Sequence, residues 1–213
     1  MDLPSKILKI CKIDNLSFGK FAILSGANYL GVHIVEEKDI GKRVDLVKKL
    51  LSLGGKIIIV TKISRLNQLE KIINLYTPKG LQLHFTPDIK LINTLKKIYP
   101  DLEIFSVITN ELELKLVEQV SELSDKLIYD TSYVGGTGEN HHLDFLEKLD
   151  SVTKNKLLIA GGITLEFLKK CNNLDVAGFD IQSYFKENGR LHFGRLEAVS
   201  RLIKGLKKKM LSV

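Results

Sequence analysis

Residues 126–138 read Lys-Leu-Ile-Tyr-Asp-Thr-Ser-Tyr-Val-Gly-Gly-Thr-Gly, an apolar run that ends in a carboxylate and opens into a glycine-rich loop. The run predicts a buried β-strand with Asp130 at its carboxyl end. Glycines in the loop allow main-chain N–H groups to turn toward an anion without obstruction by a Cβ atom. A carboxylate beside such a loop indicates acid–base chemistry on a phosphorylated substrate.

Strand-and-loop units of this kind recur along the chain, and their repetition decides the fold. The predicted strands are Ile7–Ile13, Tyr29–Val35, Lys56–Thr61, Gly80–Phe85, Glu103–Ile108, Lys126–Thr131, Lys156–Ala160 and Val176–Ser183. Segments with apolar residues at helical spacing lie between them, including residues 44–51, 66–73, 91–98 and 196–203. Such alternation indicates a parallel sheet, and units of about 27 residues fit an α/β fold of the (β/α)8 TIM barrel type. A doubly wound open sheet is the alternative, although the first strand-to-helix turn has no glycine fingerprint.

Composition limits the class of protein. The chain has 213 residues, 44% of them hydrophobic, and no linker-like stretch, so we expect one domain over residues 1–213. No apolar run is long enough for a membrane span, and the first residues do not resemble a secretory signal. Two cysteines indicate a reducing, cytoplasmic location. The net charge of +7 comes from lysines scattered over the predicted helices, which favours a solvated surface over nucleic-acid binding.

Side-chain alternation along the strands predicts which groups face the barrel interior. The outer faces must be apolar to pack on helices, so the polar positions point inward, mostly near the strand carboxyl ends where barrel active sites form. This set comprises Lys9, Cys11, Gln82, His84, Asp130 and Asp180. The same alternation places Ile13 inside and Lys12 outside. Taken singly, Cys11 could be a small buried hydrophobe, His84 a core histidine, and Asp180 an ion-pair partner of Lys9.

Three segments that follow the last predicted strands indicate a phosphate site. Loops after the seventh and eighth strands often bind phosphate in this fold, and helix N-termini favour anions. The predicted phosphate-binding residues are Gly135, Gly136, Thr137, Gly138, Gly161, Gly162, Gln182 and Ser183. Thr164 is placed to cap the helix after the seventh strand.

Several motifs, taken in order, resemble the phosphoribosylanthranilate isomerase family of the tryptophan pathway. They are KICKIDNL (9–16), SGANYLG (25–31), LQLH (81–84), Asp130 with GGTG (135–138), AGGIT (160–164) and GFD (178–180). The resemblance implies an Amadori rearrangement of a phosphoribosyl aminoaldose to a 1-amino-1-deoxyketose. It implies that Asp130 is the general acid on the ring oxygen and that Cys11, as a thiolate, is the base that removes the C2′ proton.

The resemblance also implies how the substrate is bound. Lys9, Gln82, His84 and Asp180 would bind it, and Lys9 would help Cys11 to ionise. The partner is a small phosphosugar; no metal or organic cofactor is expected, and the protein could be a monomer or a homodimer.

The chain departs from the family pattern at the edges of the substrate site. Lys12 and Phe85 stand where the family motif has glycine, and Glu139 and Tyr184 also differ. The loop that normally carries an arginine for the anthranilate carboxylate reads EEKDI (36–40), which leaves Lys38, Lys42 or Arg43 as substitutes. Two alternatives therefore stay open: a barrel acting on another phosphorylated sugar, and a non-catalytic ligand-binding barrel.

Overall fold

The structure, a computed structural model, describes residues 6–130, 144–171 and 174–204. Its main strands are β1 (Ile7–Ile10), β2 (Tyr29–His33), β3 (Ile57–Thr61), β4 (Gly80–Leu83), β5 (Glu103–Ile108), β6 (Lys126–Asp130), β7 (Leu157–Ala160) and β8 (Gly178–Ile181). The helices are α1 (Leu16–Leu24), α2 (Val44–Ser52), α3 (Leu66–Tyr76), α4 (Ile89–Ile98), α5 (Leu114–Leu123), α6 (Asp144–Glu147), α7 (Ser151–Lys154), α8 (Leu165–Cys171) and α9 (Phe193–Ile203). A short antiparallel pair, β9 (Lys186–Glu187) and β10 (Arg190–Leu191), lies between β8 and α9.

Strands β1 to β8 form a closed parallel barrel, because β8 pairs with β1. The predicted (β/α)8 TIM barrel is confirmed, and the open doubly wound sheet is wrong. Closure gives every one of these strands two hydrogen-bonded neighbours, so this barrel has no exposed sheet edge. In the described part of the chain, each helix is too short or too polar to cross a bilayer.

Alternate side chains of the strands form two separate apolar layers. Outward-facing residues such as Leu30, Ile57 and Ile159 pack beneath the helices and are less than 2% exposed. Inward-facing residues fill the barrel as a second cluster: Tyr29, Ile58, Phe105, Val107, Ile128, Leu158 and Ala160. Within the strands that form, the predicted faces are therefore confirmed, and the apolar filling lies beneath the polar groups near the strand ends.

The turn after β1 corrects one predicted face. β1 ends at Ile10 and not at Ile13, since Lys12 adopts a left-handed backbone with φ of 59°. That turn carries Ile13 outward, where it is 1% exposed and packs beside Gly19 of α1. The predicted inward position of Ile13 is wrong for this reason. A left-handed residue with a Cβ costs about 1–2 kcal/mol, and glycine avoids that cost.

Most of the other predicted strands also extended too far at one or both ends. The bounds of β5 match the prediction, and Thr131, the predicted end of β6, lies outside the described residues. The largest difference is at β8, which runs from Gly178 to Ile181 where the sequence predicted Val176–Ser183. Apolar residues continue into the flanking loops, so hydrophobicity alone does not mark where hydrogen bonding stops. Thr164 precedes α8, and its hydroxyl accepts a hydrogen bond from the Phe167 N–H, which confirms the predicted cap.

Candidate active site

A buried ion pair lies where the barrel closes. Lys9 of β1 stands opposite Asp180 of β8, and the distance from Nζ to Oδ2 is 2.7 Å. Lys9 is fully buried and Asp180 is 6% exposed. A lysine in this position requires a partner, because an unpaired buried charge costs several kcal/mol. The predicted inward direction of both side chains is confirmed.

Cys11 follows β1 directly and lies between two basic side chains. Its Sγ is 3.3 Å from the Lys9 Nζ and 3.3 Å from the Nε2 of His33, the last residue of β2. Gly31 makes room for this arrangement, because a Cβ at that position would lie 2.7 Å from the sulfur and 3.3 Å from the Lys9 Nζ. A glycine at this point of β2 is therefore required by close approach, not by its backbone angles.

The surroundings of Cys11 favour the neutral thiol. Burial, followed by the negative charge of Asp180, raises the pKa of Cys11 to about 11, while Lys9 acts in the opposite direction. Burial would lower the pKa of Lys9, but Asp180 and Cys11 outweigh it and the pKa of Lys9 is raised. The predicted contact between lysine and sulfur is present. Lys9 lowers the pKa of Cys11 less than the sequence predicted, because the same ammonium is also paired with Asp180.

His33 is a site residue that the sequence reasoning missed. Burial lowers the pKa of His33 to about 4, and the positive charges of Lys9, Lys12 and Arg43 add to this shift, as does His84. The imidazole is therefore neutral at neutral pH and retains one nitrogen that accepts hydrogen bonds. A signal was present, since the strand that places Tyr29 and Gly31 inside also places His33 inside.

Strands β4 and β6 supply the other predicted groups. The Nε2 of Gln82 lies 3.4 Å from the Nδ1 of His84. Burial lowers the pKa of His84, whereas the negative charge of Asp130 at the end of β6 acts to raise it. Asp130 is half-buried and also acts electrostatically on Asp180. The structure thus brings together, at one end of the barrel, all six inward-facing groups that the sequence predicted.

Two buried oxygen atoms at this end lack a hydrogen-bond donor among the residues that the structure describes. They are the Oε1 of Gln82 and the Oδ1 of Asp180. A buried acceptor without a donor costs about 1–3 kcal/mol. Both atoms therefore favour a ligand that brings hydroxyl or N–H groups into the barrel.

The predicted phosphate loops are described only in part. Gly161 and Gly162 follow β7 with φ of 84° and 60°, left-handed values that suit glycine and turn main-chain N–H groups away from the strand. Gln182 and Ser183 follow β8 and are exposed. The remaining predicted residues, Gly135, Gly136, Thr137 and Gly138, lie outside the described residues, as does Glu139.

Contacts in the loop after β2 distinguish among Lys38, Lys42 and Arg43, the three cations that the sequence leaves as substitutes for the family's arginine. Lys38 pairs with Glu36 and Lys42 pairs with Asp39, both within the loop. The Nη1 of Arg43 instead donates to the His33 carbonyl oxygen over 3.1 Å, which holds the guanidinium near the end of β2.

Among the described residues, no three His, Cys, Asp or Glu side chains are placed to hold a metal ion.

Comparisons with known proteins show which proteins the chain is similar to. No protein-family model matches the chain. It is 32% identical over 133 residues to the N-(5'-phosphoribosyl)anthranilate isomerase of Staphylococcus carnosus. The matched stretch covers 60% of this chain and 62% of the relative, so the chain spans slightly less than two thirds of that relative's length. The protein of the same name from Staphylococcus aureus (strain bovine RF122 / ET3-1) is 26% identical over 207 residues, 93% of this chain and 97% of the relative.

Among solved structures, the phosphoribosyl anthranilate isomerase from Thermus thermophilus superimposes with a TM-score of 0.76 at 18% identity. The match covers 94% of this chain and all of the other, and at this identity it supports the fold alone. The Staphylococcus aureus relative extends the sequence similarity over nearly the whole chain. In sequence and in fold, the chain is therefore similar to the phosphoribosylanthranilate isomerases.

Proposed function

We propose that this protein is a phosphoribosylanthranilate isomerase, which converts N-(5-phosphoribosyl)anthranilate to the 1-amino-1-deoxyribulose 5-phosphate product. The observation that carries the proposal is the placement of Cys11 and Asp130 at one end of the barrel. They are joined electrostatically through the Lys9–Asp180 pair. A thiol and a carboxyl group on separate strands can act on different atoms of one bound sugar.

In the proposed reaction, Asp130 protonates the furanose ring oxygen. The C1′–O bond breaks, and the nitrogen lone pair forms an iminium cation at C1′. A base then removes the C2′ proton, and the C–H electrons form the enamine that tautomerises to the ketose. Proton transfers of this kind each accelerate a reaction by about 10²–10⁴-fold.

Cys11 is placed to receive the C2′ proton. With its pKa raised to about 11, only about one molecule in 10⁴ carries a thiolate at neutral pH. Lys9 supports that thiolate through its contact with the sulfur. The proposed chemistry moves protons and rearranges bonds within one molecule, so we propose that it uses neither a cofactor nor a metal.

Substrate binding follows from the unsatisfied groups. The Oε1 of Gln82 and the Oδ1 of Asp180 accept hydrogen bonds from the sugar hydroxyls or the amine, with His84 beside them. Main-chain N–H groups of the loops after β6, β7 and β8 bind the phosphate. Arg43 binds the anthranilate carboxylate, since the alternatives Lys38 and Lys42 are already paired with acids.

The protein acts, in this proposal, as a single domain in the cytoplasm, alone or as a homodimer. Both Cys11 and Cys171 are buried, free thiols, which suits a reducing compartment.

The test uses purified protein and follows the loss of phosphoribosylanthranilate fluorescence. We expect turnover by the wild type and loss of turnover in Asp130→Asn, with Asp101→Asn on the exposed surface as the matched control. Arg43→Met should raise KM by about 10-fold or more, the effect of losing a hydrogen bond to a charged group. A folded wild type without turnover, or full activity in Asp130→Asn, would contradict the proposal.

A further inference from the structure

We propose, on the basis of the proposed function, that His33 acts through Cys11 as a positioning residue and proton acceptor. Its Nε2 holds the thiol in place and receives the thiol proton as the sulfur receives the C2′ proton. Cys11 and His33 thus form a thiol–imidazole couple, with Lys9 beside the sulfur.

The hydrogen-bonding capacities of the three groups determine the direction of the contact. The Lys9 ammonium can only donate, and it lies against both the Asp180 carboxylate and the Cys11 sulfur. The S–H of Cys11 therefore cannot point at Lys9. The Nε2 of His33, 3.3 Å from Sγ, is the acceptor within reach. This assigns the ring proton of neutral His33 to Nδ1.

Charges around His33 hold its imidazole in the neutral form, which has a free nitrogen lone pair. Lys9 of β1, Lys12 of the following turn, His84 of β4 and Arg43 before α2 all act on the ring, and burial adds to their effect. All of these influences favour the neutral imidazole in the free protein. A substrate with a phosphate and a carboxylate brings negative charge toward these cations, which makes the imidazolium easier to form in the complex.

The proposed step balances without any outside acid or base. The C2′–H bond breaks and its electrons enter the C1′–C2′ double bond, which neutralises the iminium nitrogen. The proton bonds to Sγ, the original S–H bond breaks, and an N–H bond forms at Nε2. One positive charge passes from the iminium to the imidazole, so no new charge separation is created. Without His33, the Cys11 thiol would first have to lose its proton to solvent to become a thiolate, and its raised pKa opposes this loss.

The contact depends on two neighbouring features of this chain. Gly31 leaves room for the sulfur between β1 and β2, and His33 follows it two residues later on the same inner face. The hydrogen bond from Arg43 to the His33 carbonyl holds the end of β2. The imidazole therefore lies on a rigid strand end rather than on a free loop, as proton transfer over a fixed distance requires.

A first experiment measures Cys11 without relying on isomerase activity. In a Cys171→Ser background, alkylation by iodoacetamide is followed by intact mass across pH. With the couple present, we expect a rate that changes little between about pH 6 and about pH 8, because His33 takes the proton during attack. In His33→Val the rate should rise in proportion to hydroxide concentration. His84→Val, which changes another half-buried imidazole at the same end of the barrel, should keep the wild-type profile.

A second experiment uses the isomerase itself. His33→Val should lower kcat by about 10²-fold or more and make kcat rise with pH, while KM changes little. His33→Asn, which keeps a polar side chain of similar shape, provides the same test if the valine variant does not fold. Wild-type pH dependence of alkylation in a folded His33 variant would overturn the proposal, whatever its kcat. Absence of isomerase activity in the wild type together with the expected alkylation profiles would refute the proposed reaction and leave the couple supported.

Discussion

Lys9 and Asp180 form an ion pair across the junction of β1 and β8, where the barrel closes, and the Lys9 ammonium also contacts the Cys11 sulfur. One ammonium therefore has two anionic or potentially anionic neighbours. This competition leads to the first prediction.

Replacement of the Asp180 carboxylate by an amide should lower the pKa of Cys11. Asp180 is the second cause of the raised thiol pKa after burial, and its removal leaves the Lys9 charge for the sulfur. For Asp180→Asn we expect a decrease of about 1–3 pH units, measured by thiolate absorbance in a Cys171→Ser background. The variant should also lose a few kcal/mol of stability at neutral pH, because the buried Lys9 charge loses its partner. An unchanged thiol titration would show that Asp180 does not control Lys9.

Addition of one methyl group at Gly31 should displace Cys11. The new Cβ would lie 2.7 Å from the Cys11 sulfur and 3.2 Å from its Cα, and the Cα is main chain and cannot move easily. We expect Gly31→Ala to cost about 1–3 kcal/mol in urea unfolding and to lower kcat. Gly194→Ala is the matched control, because nothing lies within 4 Å of that Cβ position in α9. There the substitution should stabilise the protein by up to about 1 kcal/mol. Equal effects at the two sites would contradict this account of β2.

Relief of the left-handed backbone at Lys12 should stabilise the protein. Because φ is 59°, Lys12→Gly should raise the free energy of unfolding by about 1 kcal/mol, less the greater entropy of glycine in the unfolded chain. The same change at exposed Lys20, inside α1, should lower it by about 1 kcal/mol. Urea unfolding of both variants measures the difference in sign. Destabilisation by both would mean that the Lys12 side chain contributes more than its backbone costs.

Acid should destabilise the protein through His33. The unfolded chain binds a proton at this residue below about pH 6.5, whereas the folded chain does so only below about pH 4. The unfolded state therefore binds more protons within this window, and the free energy of unfolding falls as the pH falls, by up to about 3 kcal/mol from this group. In His33→Val the difference in stability between about pH 7 and about pH 4.5 should be smaller by most of this amount. Urea unfolding at both pH values decides, and identical pH dependence in the two proteins would refute the assigned burial.

The fold was largely predictable because its signals are local and repeated. Alternating apolar residues within each strand mark an inner and an outer face, and eight such strands separated by helical segments leave few topologies other than a closed barrel. Strand ends were less predictable, as Ile13 shows. Its apolar side chain fits either apolar layer, and only the backbone angle at Lys12 directs it outward.

The candidate site was predictable where chemistry coincided with strand ends. Gln82, His84, Asp130 and Asp180 come near the carboxyl ends of separate strands, which a parallel barrel brings to one end. His33 was missed because nothing near it in the sequence is a chemical partner. The sulfur that it contacts is 22 residues away and comes close only when β1 and β2 lie side by side.

The sequence alone thus established the barrel, the inward polar groups and the family motifs, since alternation and residue type are properties of short segments. Protonation states were decided by tertiary structure. Lys9 and Asp180 are 171 residues apart. Burial and the charge of Asp180 keep Cys11 a thiol, whereas burial and the charge of Lys9 keep His33 neutral. Solvent exclusion and through-space charge set these properties, and both arise only when distant segments pack together.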